Sequence, residues 1–136
     1  MKENSLEVTK HIQIARKNFK EGNIYQANEI YKKLINQKIH TYELLISYGL
    51  FNKEINNLKI AKNLFILSIK KYPSKINSYI LLAEILRKEN NVNDALRTLH
   101  AAKKVEKLNS EIDYNLSLTY KIIKSFKKAI LSIDSA

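Results

Sequence analysis

The chain has no cysteine, no tryptophan, one proline and two glycines. Without thiols it can form no disulfide, no thiolate metal site and no cysteine nucleophile. So little glycine and proline leaves scant material for hairpin turns or flexible linkers, so strands and tethered domains are not expected. No apolar run approaches the roughly 18 residues of a membrane span, the longest covering only residues 79–83. Residues 1–10 also lack the apolar stretch that a secretory signal needs. The default expectation is a cytoplasmic chain with no membrane partner. Acidic residues are scarce too, 13 against 24 basic ones, for a net charge of +11 over 136 residues.

What the chain does have is a repeat. Ala27, Ala61, Ala95 and Ala129 are spaced 34 residues apart, and their surroundings recur with them. Three residues before each alanine stands an apolar side chain (Ile24, Leu58, Val92, Phe126), preceded by a helix-capping type (Asn23, Asn57, Asn91, Ser125). Four residues after it comes a large apolar residue (Tyr31, Phe65, Leu99, Ile133), and twelve before it a small one (Ala15, Gly49, Ala83, Ser117). A period of this length signals stacked supersecondary units, each unable to bury its apolar face alone.

Each unit reads as two helices joined by a tight turn. In the first, Ile12, Ile14, Ala15 and Phe19 fall near helical spacing, and Gly22-Asn23 ends the run before Ile24, Ala27, Ile30, Tyr31 and Leu34 begin the next. The same punctuation returns as Asn56-Asn57 and Asn90-Asn91, because asparagine tolerates the left-handed backbone and its side chain can cap a helix start. In the fourth unit it weakens to Lys124-Ser125. Breaks between units are expected at residues 37–41, at Pro73-Ser74 and at residues 108–110.

A helical pair recurring every 34 residues, small at its eighth position, alanine at its twentieth and proline near its thirty-second, resembles the tetratricopeptide repeat (TPR). The register starts at Val8, Tyr42, Ile76 and Ser110 and covers nearly the whole chain as one array, with repeats at about 8–41, 42–75, 76–109 and an incomplete 110–136. At the fourth position, aromatic or large in the family, Leu45 and Tyr79 fit while His11 and Asp113 depart. The resemblance implies an all-α fold, a right-handed superhelical array of antiparallel helix pairs. Small residues at positions eight and twenty let the two helices cross closely, and a larger side chain there would overpack the contact.

No constellation supports catalysis, a metal or a cofactor. His11, His40 and His100 occupy unrelated repeat positions, no pair is spaced to share a metal on one helix face, and no phosphate-cradling glycine loop exists. The positive charge invites a nucleic-acid reading, but only Arg16, Arg87 and Arg97 are arginine, whose guanidinium fork suits phosphate. The abundance of Ile, Asn and Lys together matches adenine- and thymine-rich codons. Nucleic acid is therefore disfavoured, and the field is better suited to an acidic protein partner.

In the resembling family the first helices of successive units form an inner, concave face. On this register its fifth positions are Ile12, Ile46, Ile80 and Tyr114 and its ninth are Arg16, Leu50, Glu84 and Leu118. Such an apolar ladder with isolated charges would suit an extended peptide or an amphipathic helix, although isoleucines there can equally pack between neighbouring first helices. The family's two-carboxylate clamp for chaperone tails is not matched: its positions hold Ile12, Arg16, Ser47, Asn77 and Leu81, or, one unit on, Ile46, Leu50, Leu81, Glu111 and Asn115. The expected function is a non-catalytic protein-interaction scaffold. The alternative, suggested by family arrays that precede glycosyl- or sulfotransferase domains, is a targeting or substrate-positioning module of a larger enzyme. Phe126, Ile130 and Ile133 are expected to lack cover, which opens self-association or docking at that end. Ile60, Ile66 and Leu67 form a second apolar patch on the outer side of the second unit.

Overall fold

The computed structural model describes residues 3–134, with seven helices among them and no strand. In chain order these are α1 (Ser5–Lys20), α2 (Ile24–Asn36), α3 (Tyr42–Glu54), α4 (Leu58–Lys71), α5 (Asn77–Lys88), α6 (Val92–Val105) and α7 (Ser110–Asp134). They fall in two compact units, Met1–Ser68 and Ile69–Ala136, with the boundary inside α4. The expected breaks at residues 37–41 and 73–74 are non-helical throughout, while that at 108–110 is non-helical at Leu108 and Asn109 and gives way to α7 at Ser110.

The repeat's small residues sit where helices cross. Ala15 and Ala27 in the first pair are fully buried, as are Ala61, Ala83 and Ala95. Gly49 of α3 lies directly against the Phe65 ring of α4, so that a methyl group there would meet Phe65 Cε1 and come within 2.8 Å of Cζ. Large side chains close the space around these crossings. In the first unit Tyr31 stacks on Tyr48 at 4.9 Å and tilts against Phe51 at 5.4 Å, while Phe19 meets Phe51 edge-on at 5.2 Å, geometries that aromatic quadrupoles favour. In the second, Tyr79, Ile85, Leu99 and Ile112 are buried.

The turns inside the pairs are made by the backbone. Gly22, Asn56 and Asn90, again 34 apart, adopt φ of 83°, 63° and 63°. At each, the amide of the left-handed residue reaches back to Phe19, Lys53 or Arg87. The amide of the following asparagine reaches Asn18, Asn52 or Leu86, at 2.8, 2.7 and 2.8 Å. This double closure is the Schellman motif, which satisfies carbonyls that a helix end leaves orphaned. The carbonyls of Asn23, Asn57 and Asn91 then accept from the amides of Ala27, Ala61 and Ala95, each at 3.1 Å.

Two expectations are corrected. Asn23 and Asn91 precede their helices but make no side-chain cap, their ψ being 69° and 65°. Where side chains do cap, at Asn4 and Thr41, ψ is extended at 168° and 152° and the oxygen points at the third helical amide. The tight turn forbids that extended ψ. The second correction is the fourth pair: α7 runs through Lys124-Ser125 as one helix of 25 residues. Without glycine or asparagine at that point, a left-handed residue costs roughly 1–2 kcal/mol, whereas the continuous helix keeps its own hydrogen bonds. Lysine can be held left-handed, as Lys38 is after α2 with φ 64°, but there Ile39 is buried beside it. Ser117 and Ala129, the fourth unit's crossing residues by register, are both exposed.

Two measurements test these assignments. Gly49→Ala gains about 0.5–1 kcal/mol of helix propensity but forces a methyl group into a fully buried ring, at roughly 1–3 kcal/mol. We expect net destabilisation in urea unfolding, and a stabilised variant would contradict the crossing. Asn90→Ala should cost about 1 kcal/mol through its left-handed backbone, and Lys38→Gly should gain a similar amount. Asn91→Ala should lie within about 0.5 kcal/mol of the parent, as for surface changes, and the reverse order would restore the side-chain cap.

Candidate functional site

The residues expected on the inner face lie on α1 and α3 in the first unit and on α5 and α7 in the second. In the first unit, Ile46 and Leu50 of α3 are half-buried and Arg16 of α1 is exposed. Ile12 is fully buried, so it packs in the core and presents no anchor to a ligand. In the second, Tyr114 is 65% exposed and Glu84 and Leu118 are half-buried, whereas Ile80 is buried. The fifth repeat position therefore turns inward at Ile12 and Ile80, which leaves accessible apolar surface at Ile46 and Tyr114.

In both units an arginine ties neighbouring first helices together. Arg16 Nε donates to Ser47 Oγ across α1 and α3 at 2.9 Å, and the same hydroxyl lies 3.0 Å from Tyr31 Oη on α2. Burial pushes the Tyr31 phenol up, opposed by its Ser47 hydrogen bond and the nearby Arg16 charge. In the second unit Arg87 of α5 grips α7. Nη1 donates to the Asn115 carbonyl at 3.3 Å and to Thr119 Oγ1 at 3.2 Å, while Nη2 donates to Asn115 Oδ1 at 2.9 Å. Burial lowers the affinity of Arg87 for its proton, and the charges of Glu84 and Tyr114 counter it. The forked guanidinium suits this three-way contact, which a lysine's point charge could not reproduce.

Arg87 escaped the sequence reading. It stands at the twelfth position of its repeat, outside the fifth and ninth positions that define the expected ladder. Its acceptors, Asn115 and Thr119, gave no signal of their own. Both are buried on α7 and also bond their own helix, Asn115 Nδ2 to Glu111 O at 2.8 Å and Thr119 Oγ1 to Asn115 O at 2.7 Å.

The histidines remain separate. His11 bonds Glu3, and His100 Nε2 lies 3.0 Å from Tyr120 Oη at the surface. Among the described residues no group of histidine and acidic side chains could hold a metal ion, and no helix is long and apolar enough to cross a membrane. On the outer side of the first unit, Ile24, Tyr25, Tyr48, Ile55 and Ile60 line an open cleft, and Ile66 is 51% exposed.

No protein-family model matches the chain, and no curated protein matches its sequence. Solved structures do match its fold. The first TPR domain of Spaghetti (RPAP3), solved with the HSP90 peptide SRMEEVD, is 15% identical and superimposes with a TM-score of 0.75 over 89% of this chain and 96% of that one. The Yersinia enterocolitica type III secretion chaperone SycD, in complex with a peptide of the translocator YopD, is 14% identical with a TM-score of 0.76 over 91% and 97%. A Thermobaculum terrenum O-GlcNAc transferase mutant is 15% identical with a TM-score of 0.69, over 88% of this chain but 23% of that protein. The fold is thus that of tetratricopeptide repeats, all-α and built from antiparallel helix pairs.

Arg87→Met removes a half-buried guanidinium and leaves the oxygens of Asn115 and Thr119 short of donors. Loss of charged hydrogen bonds of this kind costs about 1.5–3 kcal/mol. Unfolding should show that loss, and hydrogen exchange should quicken in α7 ahead of α1. Arg87→Lys should recover only part of it, and full recovery would mean that charge alone matters.

Proposed function

We propose that this chain is a non-catalytic scaffold that binds a peptide or helix of a partner protein on the inner faces of its first helices. The observation that carries the reading is the pairing of accessible apolar side chains with fixed charge on those faces. Ile46, Leu50 and Arg16 keep surface on α1 and α3 in the first unit, and Tyr114, Leu118 and Glu84 keep it on α5 and α7 in the second. Structures of the same fold bound to HSP90 and YopD peptides support it. The ligand differs in kind from a chaperone's carboxylate tail: Ile12 is buried core and Leu81 offers no cation, so both ends of a two-carboxylate clamp are missing. A net charge of +11 favours an acidic partner and raises its rate of encounter at low salt. Soluble cytoplasmic residence fits this role. The bare C-terminal half of α7 is a separate surface open to docking or self-association.

A second reading has one observation behind it. The fold also occupies part of a Thermobaculum terrenum O-GlcNAc transferase, and under that reading these helices would position substrate for a catalytic domain carried elsewhere. The inner faces would serve in either case.

Selection of binders from a displayed peptide library, followed by titration of a selected peptide, tests the proposal. Leu50→Ala should weaken a peptide held by the first unit, and Tyr114→Ala one held by the second, each by about 1–2 kcal/mol, the loss of an interface anchor, with the helical signal intact. Ile80→Ala is a poor probe because it opens a cavity instead. If Ile60→Ala abolished binding while the other two left it unchanged, the outer cleft of the first unit would be the working surface.

A further inference from the structure

The chain has three arginines, and each is held differently. Arg97 pairs with Asp94 on its own helix, and Arg87 is spent on the oxygens of Asn115 and Thr119. Arg16 pairs with no carboxylate among the described residues. Its anchor is a pair of hydroxyls instead. Nε donates to Ser47 Oγ at 2.9 Å, and Tyr31 Oη, itself 3.0 Å from that oxygen, lies near the same guanidinium. Ser47 and Tyr31 are 4% and 1% exposed, whereas Arg16 is exposed. The anchor therefore lies beneath the side chain, and the rest of the guanidinium lies above it.

A guanidinium carries five N–H donors in one plane. Ser47 takes the one on Nε, and a single neighbouring phenol cannot take up the four on Nη1 and Nη2. Because Nε is tied, the plane is restrained and its outer donors are in position before a ligand arrives, which removes part of the ordering cost of binding. The group that matches them is a carboxylate, whose two oxygens accept two parallel N–H bonds and whose single charge balances the arginine's.

The surroundings extend the match. Leu50, half-buried, follows Ser47 by three residues on α3 and so lies on the same side of that helix. Lys20, exposed, stands four residues after Arg16 on α1 and adds positive charge there. Glu43 of α3 accepts from Thr9 Oγ1 at 3.2 Å, and Thr9 precedes Arg16 by seven residues, about 10 Å along α1 at 1.5 Å per residue. The face is positive at its Arg16 end and negative at its Thr9 end.

We propose that Arg16 is the specificity-determining residue of the first unit's inner face. It takes the carboxylate of an aspartate or glutamate side chain in a partner segment whose neighbouring large apolar side chain rests on Leu50. The face continues on both sides of Arg16, to Thr9 and to Lys20, so the segment runs through and its acid is a side chain rather than a chain end. This role rests on the peptide-binding reading and adds the chemistry of the ligand.

The probe is a peptide library displayed inside a carrier protein, so that no chain end is offered, selected on the whole chain and then synthesised with acetylated and amidated ends. Peptides whose affinity falls with Leu50→Ala should share an Asp or Glu at one position. Changing that residue to Asn or Gln should raise the dissociation constant about tenfold, as for loss of a charged hydrogen-bonded pair, and Arg16→Gln should do the same. Made together, the two changes should cost little more than either alone, the mark of direct partners. Arg16→Lys should restore only part of the affinity, because it keeps the charge and loses the fork. Selection on Arg16→Glu should replace the acid with Lys or Arg, an outcome that a merely structural role would not give. Lys59→Gln on α4 removes the same charge and should shift the dissociation constant by less than about twofold. Leu50-dependent peptides with no shared acid, or additive losses, would overturn the role of Arg16 and leave peptide binding standing. If no selected peptide responded to Leu50→Ala, binding at this face would itself be refuted, and the role of Arg16 with it.

Discussion

Everything in this fold depends on two helices being able to approach until their backbones nearly touch. The approach is possible only where the side chains at the crossing are a methyl group or a hydrogen, as at Ala15 with Ala27 and at Gly49 beside Phe65. Once that distance is set, the larger side chains around it have fixed gaps to fill. Tyr31, Phe51, Phe65 and Leu99 fill them with almost no exposed surface. Close packing of this kind tolerates neither voids nor excess volume, so the small residues govern the large ones.

Much of this could be read in the sequence, because the crossing demands residue types rather than long-range partners. The alanine period located α1 to α6, the single proline and the polar breaks located the connections, and the left-handed positions fell on Gly22, Asn56 and Asn90. What could not be read was the division of labour within each turn. Asn90 and Asn91 look alike as letters, yet one contributes its tolerance of positive φ and the other only its backbone. Ser125 matched the pattern in the fourth unit, but a pattern position cannot bend a chain whose own hydrogen bonds favour continuing.

Of the residues expected on the inner face, Arg16, Ile46, Leu50, Glu84, Tyr114 and Leu118 retain surface. Burial separates Ile12 and Ile80 from them, since an isoleucine between packed helices reads the same as one facing a ligand. Arg87 was hidden for the opposite reason. Its meaning lies in acceptors 28 and 32 residues away, a relation that no local spacing announces.

The backbone closures at residues 22–23, 56–57 and 90–91 act as rulers. Each fixes three successive bonds, two backward to the outgoing helix and one forward to the amide of the crossing alanine. A single residue inserted there would rotate the second helix by about 100° and turn its alanine away from the crossing. The connection at residues 37–41 opens on a similar backward closure, Lys38 and Ile39 reaching Ile35 and Leu34, but those two residues do not also begin the next helix, which starts from Thr41. The connection at 72–76 has no left-handed residue. Variation in length should therefore accumulate between the helix pairs and be nearly absent within them. Any drift in the period of such a chain records where its backbone was free to lengthen.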